Sequence, residues 1–531
     1  MATTYPTPGV YINEINGFAN SVVPVATAVP AFIGYTPAAA YQGKSYLNKA
    51  TRISSFAEFQ AIFMLPDPVA PADPAQQYSP QYYPVAQTGV PDAGTYVLAN
   101  GVNYSILPDP DSIYYLYNSV RMFFQNGGAS AYIVAVGSYG TPGGKPLASP
   151  DLIIVNRNVQ LADLQRGLAL LMKEAEPTMY ICPEATLLSL ADNATLMQSM
   201  LLQATSMQTA LCLFDVIGGA QPNPVTYTTD IENFRNGTGS IGLNYGVCYY
   251  PFIGTSVMQD NELDFTNLFG GDISKLAALL SPAGSANPAV AQILVQIQNP
   301  PVNPISRQQL QDALLVASPI YGQIMQGVLK LANTLPPSGA MAGVYTTNDN
   351  MTGVWKAPAN ISIIGAQSLS INLSNAQQDN LNIDAVSGKS VNAIRSFPGQ
   401  GILIWGARTL DGNSQDWRYV SVRRTMTFLE QSIKQAAHAY VFEPNSANTW
   451  AALKSMISSF LTDIWKQGGL MGDAPDQAFN VSVGLDTTMT ANDILNGYMN
   501  VSVQVAVTHP AEFIVITFQQ LQAQAGSVVV V

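Results

Sequence analysis

This 531-residue chain has two histidines, the side chains best suited to general-base catalysis near neutral pH, and neither lies in a recognisable catalytic pattern. His438 lies in a helical pattern and His509 precedes Pro510 at the end of a strand pattern. A serine hydrolase needs a histidine beside its nucleophile, and no GxSxG elbow is present. The phosphate loop GxxxxGK[ST] and the zinc motif HExxH are also missing. The sequence therefore predicts no enzyme and no cofactor.

Two further motifs match a functional pattern only in part. GTGSIG at 237–242 has the GxGxxG spacing, but it follows a helical pattern and precedes a strand pattern. A dinucleotide loop has the opposite order, so we interpret this stretch as a turn. Asp260, Glu262 and Asp264 lie close together without the spacing or glycine of a calcium loop. We interpret them as a solvated acidic loop and predict no metal site.

The scarcity of charge indicates a protein whose surface is covered by partners. Charged residues make up 11% of the chain, against about 25% in an average soluble protein. The net charge is −12 and no basic run exists, which argues against direct binding of nucleic acid. No apolar run reaches the roughly 18 residues of a spanning helix, so we expect no membrane insertion. We also see no secretory signal at the N-terminus.

Three scattered cysteines, Cys182, Cys212 and Cys248, without a CxxC pair fit a reducing cytosol. Each cysteine lies in an apolar stretch, as a small buried hydrophobic residue would. The stretches around them, at 179–183, 209–217 and 245–253, are short apolar runs typical of buried strands. Helical spacing at 161–174 and 187–209 separates these runs. This alternation predicts an α/β layer with a largely parallel sheet.

The C-terminal part predicts a second α/β unit. Apolar residues at helical spacing indicate helices at 422–440 and 450–464. Period-two alternation at 480–485 and 498–507 predicts two paired strands. Between 401 and 470 the charge is +2, which leaves −14 for the rest of the chain. These basic residues either form ion pairs within the domain or present a face to an acidic partner.

Both chain ends have uncharged strand patterns, at 9–12 and 513–518. A strand at the edge of a sheet exposes unpaired N–H and C=O groups. Each end therefore either joins a sheet of its own subunit or adds a strand to a neighbouring copy.

Several segments together resemble the phage tail sheath proteins. The resemblance rests on PGVYINEI at 8–15, SVRMFFQNGGASAYIVAVG at 119–137, NAIRSFPGQGILIWGARTL at 392–410, DWRYVSVRRTMTFLEQSIKQAAHAYVFEPNSANTW at 416–450 and NDILNGYMNVSVQVAVTHPAEFIVITFQQ at 492–520. It implies a subtilisin-like α/β sheath domain, a C-terminal α/β domain, extended terminal arms and outer insertions. It also implies a structural protein that forms a six-fold helical sheath around an inner tube and contracts to drive the tube through a target envelope.

The resemblance also implies a division of the chain. The expected parts are 1–38 for the N-terminal arm and first strands, 39–65 and 112–256 for the sheath core, 66–111 and 257–352 for two variable outer insertions, 353–405 for the return to the core, 406–510 for the tube-proximal domain and 511–531 for the C-terminal arm. Expected partners are further copies of the chain, the inner tube protein, and baseplate and terminal cap proteins. Assembly in the bacterial cytoplasm is expected, into a phage tail or an extracellular phage tail-like particle.

Two sets of site residues follow from the resemblance. The arm residues expected to pair with neighbours are Pro8, Gly9, Val10, Tyr11, Ile12, Glu14, Phe513, Ile514, Val515, Ile516 and Phe518. The candidates for contact with the inner tube are Arg423, Arg424, Lys434, His438, Lys454 and Lys466. Three alternatives stay open: a non-contractile tail, tube or capsid component, a degenerate hydrolase on a subtilisin-like fold, and either of the two particle types, phage tail or injection system.

Overall fold

The computed structural model describes residues 21–69, 78–91, 94–148, 153–281, 287–301 and 305–515. Its strands in chain order are β1 (Pro30–Tyr35), β2 (Ala40–Tyr41), β3 (Lys44–Ser45), β4 (Ala50–Ile53), β5 (Tyr82–Gln87), β6 (Tyr96–Ala99), β7 (Val102–Pro108), β8 (Ala131–Gly137), β9 (Met179–Ile181), β10 (Leu211–Asp215), β11 (Gly246–Tyr250), β12 (Ile253–Thr255), β13 (Thr334–Leu335), β14 (Ala366–Leu369), β15 (Asn392–Phe397), β16 (Gly401–Ile404), β17 (Phe479–Ser482) and β18 (Ser502–Val505).

The α-helices follow the same numbering along the chain. They are α1 (Phe56–Phe63), α2 (Leu116–Gln125), α3 (Leu161–Leu170), α4 (Leu190–Met207), α5 (Tyr227–Gly237), α6 (Ile273–Leu280), α7 (Pro288–Gln298), α8 (Arg307–Ala317), α9 (Pro319–Ala332), α10 (Ser338–Thr352), α11 (Asn375–Asn382), α12 (Val420–Ala437), α13 (Ala447–Lys466), α14 (Pro475–Ala478) and α15 (Ala491–Leu495). In the described ranges no helix is both long enough and apolar enough to cross a membrane.

The core is an eight-stranded sheet in the order β16-β15-β11-β10-β9-β1-β8-β4. The six inner strands run parallel, and the two edge strands β16 and β4 run antiparallel to their neighbours. Strands β1, β9, β10 and β11 are buried along their whole length. A parallel sheet covered by helices on both faces requires such continuous apolar strands. The predicted α/β layer with a largely parallel sheet is confirmed.

Helix α10 packs against α2 at close range, next to this sheet. A side chain on Gly339 would meet the backbone of Ser119 at 2.5 Å, and one on Gly343 would meet the carbonyl of Phe123 at 2.5 Å. Small residues therefore let the two backbones approach each other. Most of α10 is buried, although it belongs to the range 257–352 that the sequence analysis assigns to an outer insertion. We propose that the return to the core begins with α10.

The two ranges predicted as insertions meet in one module, whose buried side chains belong to the same hydrophobic cluster as the eight-stranded sheet. β5, β7 and β6 form an antiparallel sheet, and helix α9 packs on its inner face. Gly327 of α9 lies so close that a side chain there would meet Val97 at 2.4 Å and Ile106 at 3.2 Å. We call the part formed by β5–β7 and α6–α9 the outer module.

A second hydrophobic cluster forms the C-terminal lobe, made of α12–α15, β17 and β18. The rings of Phe428 on α12 and Phe460 on α13 lie 6.0 Å apart at its centre. Both helices and the antiparallel pairing of β17 with β18 agree with the sequence pattern. The lobe buries its own apolar side chains, and the segment 405–419 connects it to the core.

Candidate assembly surfaces

The residues that could perform chemistry are dispersed. His438 is exposed just after α12, and His509 lies against the ring of Tyr419 with Nδ1 2.9 Å from the carbonyl of Val507. The GTGSIG stretch at 237–242 connects the end of α5 to β11, so its interpretation as a turn is confirmed. Within the described parts of the chain, no three side chains of metal-ligating type come together.

Two buried acidic side chains, Glu184 and Asp215, lie at the C-terminal ends of central strands and accept hydrogen bonds from the first residues of two helices. Glu184 follows β9 and accepts a hydrogen bond from the N–H of Leu116, the first residue of α2, at 2.8 Å. Asp215 ends β10 and accepts bonds from the N–H and Oγ of Ser338, the first residue of α10, at 2.9 and 2.5 Å. Burial raises the pKa of Glu184 to about 8 and that of Asp215 to about 7. Each carboxyl accepts an N–H that the first turn of a helix leaves without an intrahelical partner, so both groups have a structural role that the sequence analysis missed.

The sheet of the C-terminal lobe has two open edges. In the described part of the chain, β17 and β18 form a two-stranded sheet, and beyond the end of β18 Val507 makes a single antiparallel bridge to Leu470. A two-stranded sheet has marginal stability on its own, and its free backbone groups can pair with further strands. The lobe therefore offers one position for an added strand on each side.

The described end of the chain adds no strand to this sheet. Phe513, Ile514 and Val515 are 68%, 80% and 87% exposed, and they form no strand in their own subunit. Ile516 and Phe518 lie outside the described residues, as do all the predicted N-terminal arm residues from Pro8 to Glu14. The pairing of the arms with neighbouring copies stays a prediction.

The segment 22–29, which we call the leader, connects the N-terminal region to β1 across the C-terminal lobe. Val22 is buried in the hydrophobic cluster of the lobe, and the N–H of Val25 donates to Oγ of Ser432 at 3.2 Å. Val29 then exchanges hydrogen bonds with Thr178 at the start of β9. A cleft of about 640 Å³ lies between the leader, α12 and the adjoining ends of β9 and β10. The leader therefore packs on the lobe at Val22 and Val25 and reaches the core at Val29.

Two of the candidates for tube contact, Arg423 and Arg424, are buried, and this part of the prediction is corrected. Arg424 donates from Nη1 and Nη2 to both carboxylate oxygens of Asp349, at 2.9 and 2.5 Å. Its Nη2 also donates to the carbonyl of Thr27 in the leader at 2.9 Å, and its guanidinium lies 4.5 Å from the ring centre of Tyr345. Arg424 therefore connects the lobe to both α10 and the leader.

Arg423 is buried in a different way. Its guanidinium lies between the rings of Trp417 and Tyr245, 4.3 and 4.9 Å from their centres, and Nη2 donates to Glu430 at 3.0 Å. Aromatic faces attract the cation and replace part of its hydration. The local sequence could not reveal this burial, because Tyr245 belongs to the distant core.

The other four candidates are exposed but do not form one face. Lys434 and His438 lie one helical turn apart and line the cleft beside the leader. Lys454 and Lys466 are exposed on α13, where a separation of twelve residues corresponds to roughly 120° around the helix axis. The structure therefore brings Lys434 and His438 together and separates Lys454 from Lys466.

Two comparisons of the amino-acid sequence with known proteins both find tail sheath proteins. Residues 413–520 match the family model described as the phage tail sheath C-terminal domain. The tail sheath protein of Vibrio phage KVP40 is 30% identical over 139 residues, which are 26% of this chain. That stretch is only 20% of the phage protein, so the chain spans about a fifth of the length of this relative.

Solved structures resemble the chain over nearly its whole length. A chain in the baseplate of the anti-feeding prophage, solved with six-fold symmetry, is 25% identical with a TM-score of 0.55, covering 98% of this chain and 100% of that one. A chain of the PVC sheath complex, an extracellular contractile injection system in its contracted state, is 23% identical with a TM-score of 0.54, covering 98% and 99%. The likeness to the chain of the PVC sheath complex shows a shared fold and no more.

Proposed function

This chain belongs to the phage tail sheath family, and we propose that it polymerises as the contractile sheath of a phage tail or a phage tail-like injection particle. Tail sheath proteins are structural proteins, and this chain is not an enzyme. In the proposed assembly, copies of the chain form a six-fold helical sheath around an inner tube, bounded by baseplate and terminal cap proteins. We propose assembly in the bacterial cytoplasm, and we interpret the parallel-sheet core as the subtilisin-like sheath domain.

The observation that carries this proposal is the incomplete sheet of the C-terminal lobe beside an unpaired chain end. The sheet β17–β18 has two open edges, and residues 513–515 leave the subunit exposed, apolar and unpaired. Strand addition would satisfy the backbone groups of both partners at once. We propose that the arms at 8–15 and 511–519 add strands to the lobes of neighbouring copies and so connect the sheath into a mesh.

Contraction follows from such a mesh without a chemical fuel. We propose that the extended sheath is a kinetically trapped state whose subunits gain contacts when they rotate into the contracted one. Each subunit needs to contribute only a few kcal/mol, because many subunits switch together. The mesh keeps the subunits connected while the sheath shortens and drives the tube through a target envelope.

The decisive experiment removes the N-terminal arm. A chain without residues 1–15 keeps the leader, both hydrophobic clusters and the whole described structure. We expect folded, soluble subunits with an unchanged melting temperature that form no sheath in negative-stain electron microscopy. Sheaths of normal length from this variant would disprove the exchange of arms.

A further inference from the structure

The last charged residue of the chain lies directly before the exposed end, and three side chains bind it. Arg408 donates to Glu512 from Nε at 3.0 Å and from Nη2 at 2.6 Å. Tyr419 donates from its hydroxyl at 3.1 Å, and Asn382 from Nδ2 at 2.8 Å. No residue after Glu512 carries a charged side chain. The carboxylate therefore forms a single polar anchor at the base of the tail 513–531.

This anchor is protected from solvent. The side chain of Arg408 is 4% exposed and that of Glu512 is 21% exposed. Burial by itself raises the pKa of Glu512. The hydrogen bonds from Arg408 and Asn382 and the charge of Arg408 lower the pKa by more than burial raises it, so the pKa is below its usual value. Charge-assisted bonds of this kind are stronger than neutral ones. Glu512 is therefore held as a carboxylate, and the anchor has a defined geometry.

The anchor attaches the tail to the core and not to the C-terminal lobe. After β18, Val507 is buried in the lobe and Oγ1 of Thr508 donates to the carbonyl of Gly468 at 3.0 Å. Four residues later, Glu512 reaches Asn382 at the end of α11 and Arg408 just after β16. Between Thr508 and Glu512 the chain thus crosses from the lobe to the core.

We propose that Arg408 and Glu512 are positioning residues that fix the point from which the C-terminal tail leaves the subunit, and so determine which neighbouring copy it reaches. This inference rests on the proposed function, because it takes the tail as a strand that pairs with a second copy of this chain. A tail that starts from a fixed point searches a smaller volume than a tail released from Thr508. Its effective concentration at the neighbouring sheet is correspondingly higher.

The position of the tail can be measured in the isolated subunit by paired spin labels. The labels occupy Ile514→Cys on the tail and Val225→Cys on the core, two exposed positions, while the three native cysteines are buried. Residue 514 lies two residues from Glu512 and six from Thr508. The end of a flexible chain of n residues spreads over about 5–6 Å times the square root of n. Glu512→Gln should therefore increase the width of the distribution of label-to-label distances from about 8 Å to about 14 Å. The amide keeps one accepting oxygen, and its NH2 group would face donors of Arg408 and of either Asn382 or Tyr419.

Assembly provides the second measurement. The effective concentration of a tethered end falls with about the −3/2 power of its free length, so Glu512→Gln should raise the subunit concentration needed for sheath formation about fivefold. Tyr419→Phe removes one hydrogen bond to Glu512 and should give a smaller change in both measurements. It serves as the test variant if Glu512→Gln does not fold. Glu430→Gln is the matched control, because it breaks another ion pair of a buried arginine, that with Arg423 on α12, away from the tail. It should change neither measurement.

A chain truncated after Glu512 separates the two proposals. If it forms no sheath while Glu512→Gln and Tyr419→Phe keep the narrow distance distribution and the normal assembly threshold, the anchor is disproved and strand exchange stands. If the truncated chain forms normal sheaths, exchange of the C-terminal strand is itself disproved, and the role of the anchor with it. A wider distribution and a higher threshold, absent in Glu430→Gln, support the anchor.

Discussion

At the scale of single residues, the buried guanidinium groups of Arg408, Arg423 and Arg424 connect parts of the chain that are distant in sequence. Arg424 pairs with Asp349 on α10, and both side chains are 4% exposed. Removing one partner of a buried pair leaves an uncompensated charge, whereas an exposed pair contributes little. The attachment of the C-terminal lobe to the core therefore depends on a few internal ion pairs.

Arg424→Ala should lower the free energy of unfolding by about 3–5 kcal/mol, because it leaves the Asp349 carboxylate buried without a partner. Urea denaturation followed by circular dichroism measures this loss. Replacing both residues, as Arg424→Met with Asp349→Leu, should cost less than the single change. Arg52→Ala is the control, since it breaks an ion pair with Glu176 whose side chains are 50% and 36% exposed, and should cost less than about 1 kcal/mol. Equal losses in Arg424→Ala and Arg52→Ala would contradict this account.

Glu184 should make the subunit less stable as the pH rises. Its pKa is about 8 in the folded protein, where burial is the main cause, against an ordinary value of 4.5. The folded state thus holds this proton more tightly, and the stability it contributes is fully present below pH 4.5 and is lost as the pH rises through 8. Glu184→Gln should therefore reduce the loss of unfolding free energy between pH 5 and 9 by on the order of a few kcal/mol. Melting temperatures measured across this pH range check the smaller loss.

The control for this pH dependence is Glu232→Gln, which neutralises an exposed carboxylate on α5. It should leave the pH profile of the melting temperature as it is in the unaltered chain. A Glu184→Gln variant with the same slope as the unaltered chain would show that Glu184 is not responsible for it.

At the scale of elements, glycine positions control how helices pack. Helix α9 contains two glycines with opposite surroundings. Gly327 lies against Val97 and Ile106 of the outer sheet, whereas a side chain on Gly322 would meet only Leu315, at 4.0 Å. At Gly327 the outer sheet therefore approaches the backbone of α9 closely.

Gly327→Ala should lower the free energy of unfolding by about 1–3 kcal/mol, because its new methyl group overlaps the side chain of Val97. Gly322→Ala is the matched control in the same helix. It should raise the free energy of unfolding by up to about 1 kcal/mol, because alanine has the higher helix propensity. Thermal denaturation of both variants checks the expected opposite signs. Stabilisation of both variants to the same extent would contradict the close packing of α9 on the outer sheet.

At the scale of the whole molecule, the low charge content and the open lobe sheet both suit a subunit that is completed by its neighbours. Charged side chains are 11% of the chain, and several of them are used in internal ion pairs. Lys454 and Lys466 remain exposed on α13 and are available to an acidic partner. We therefore expect charge to govern attachment of the inner tube more than folding of the subunit.

The double substitution Lys454→Glu with Lys466→Glu should leave the melting temperature and sheath formation unchanged while reducing the fraction of sheaths that contain a tube. The reason is repulsion between the reversed charges and an acidic tube surface. Electron microscopy of co-expressed sheath and tube measures this fraction. Lys275→Glu with Lys330→Glu makes the same charge change on the outer module and should have no effect. Equal tube occupancy in both variants would exclude Lys454 and Lys466 as contacts of the tube.

Local patterns determined much of the architecture. Continuous apolar runs identified the buried strands around Cys182, Cys212 and Cys248, and helical spacing identified α12 and α13. These predictions succeeded because a strand or helix that buries one or both faces must repeat its apolar residues with its own period. The charge deficit and the uncharged chain ends were also readable from the sequence alone.

The tertiary structure alone decided which polar groups are internal. Arg424 and Asp349 are 75 positions apart, and Arg408 and Glu512 are 104 apart, so no local pattern could pair them. The outer module joins β5–β7 to α9 across more than 200 residues, and Glu184 and Asp215 bind helices from other parts of the chain. Burial of a charge depends on what packs around it in space, whereas the periodicity of a segment reports only that the segment has a buried face.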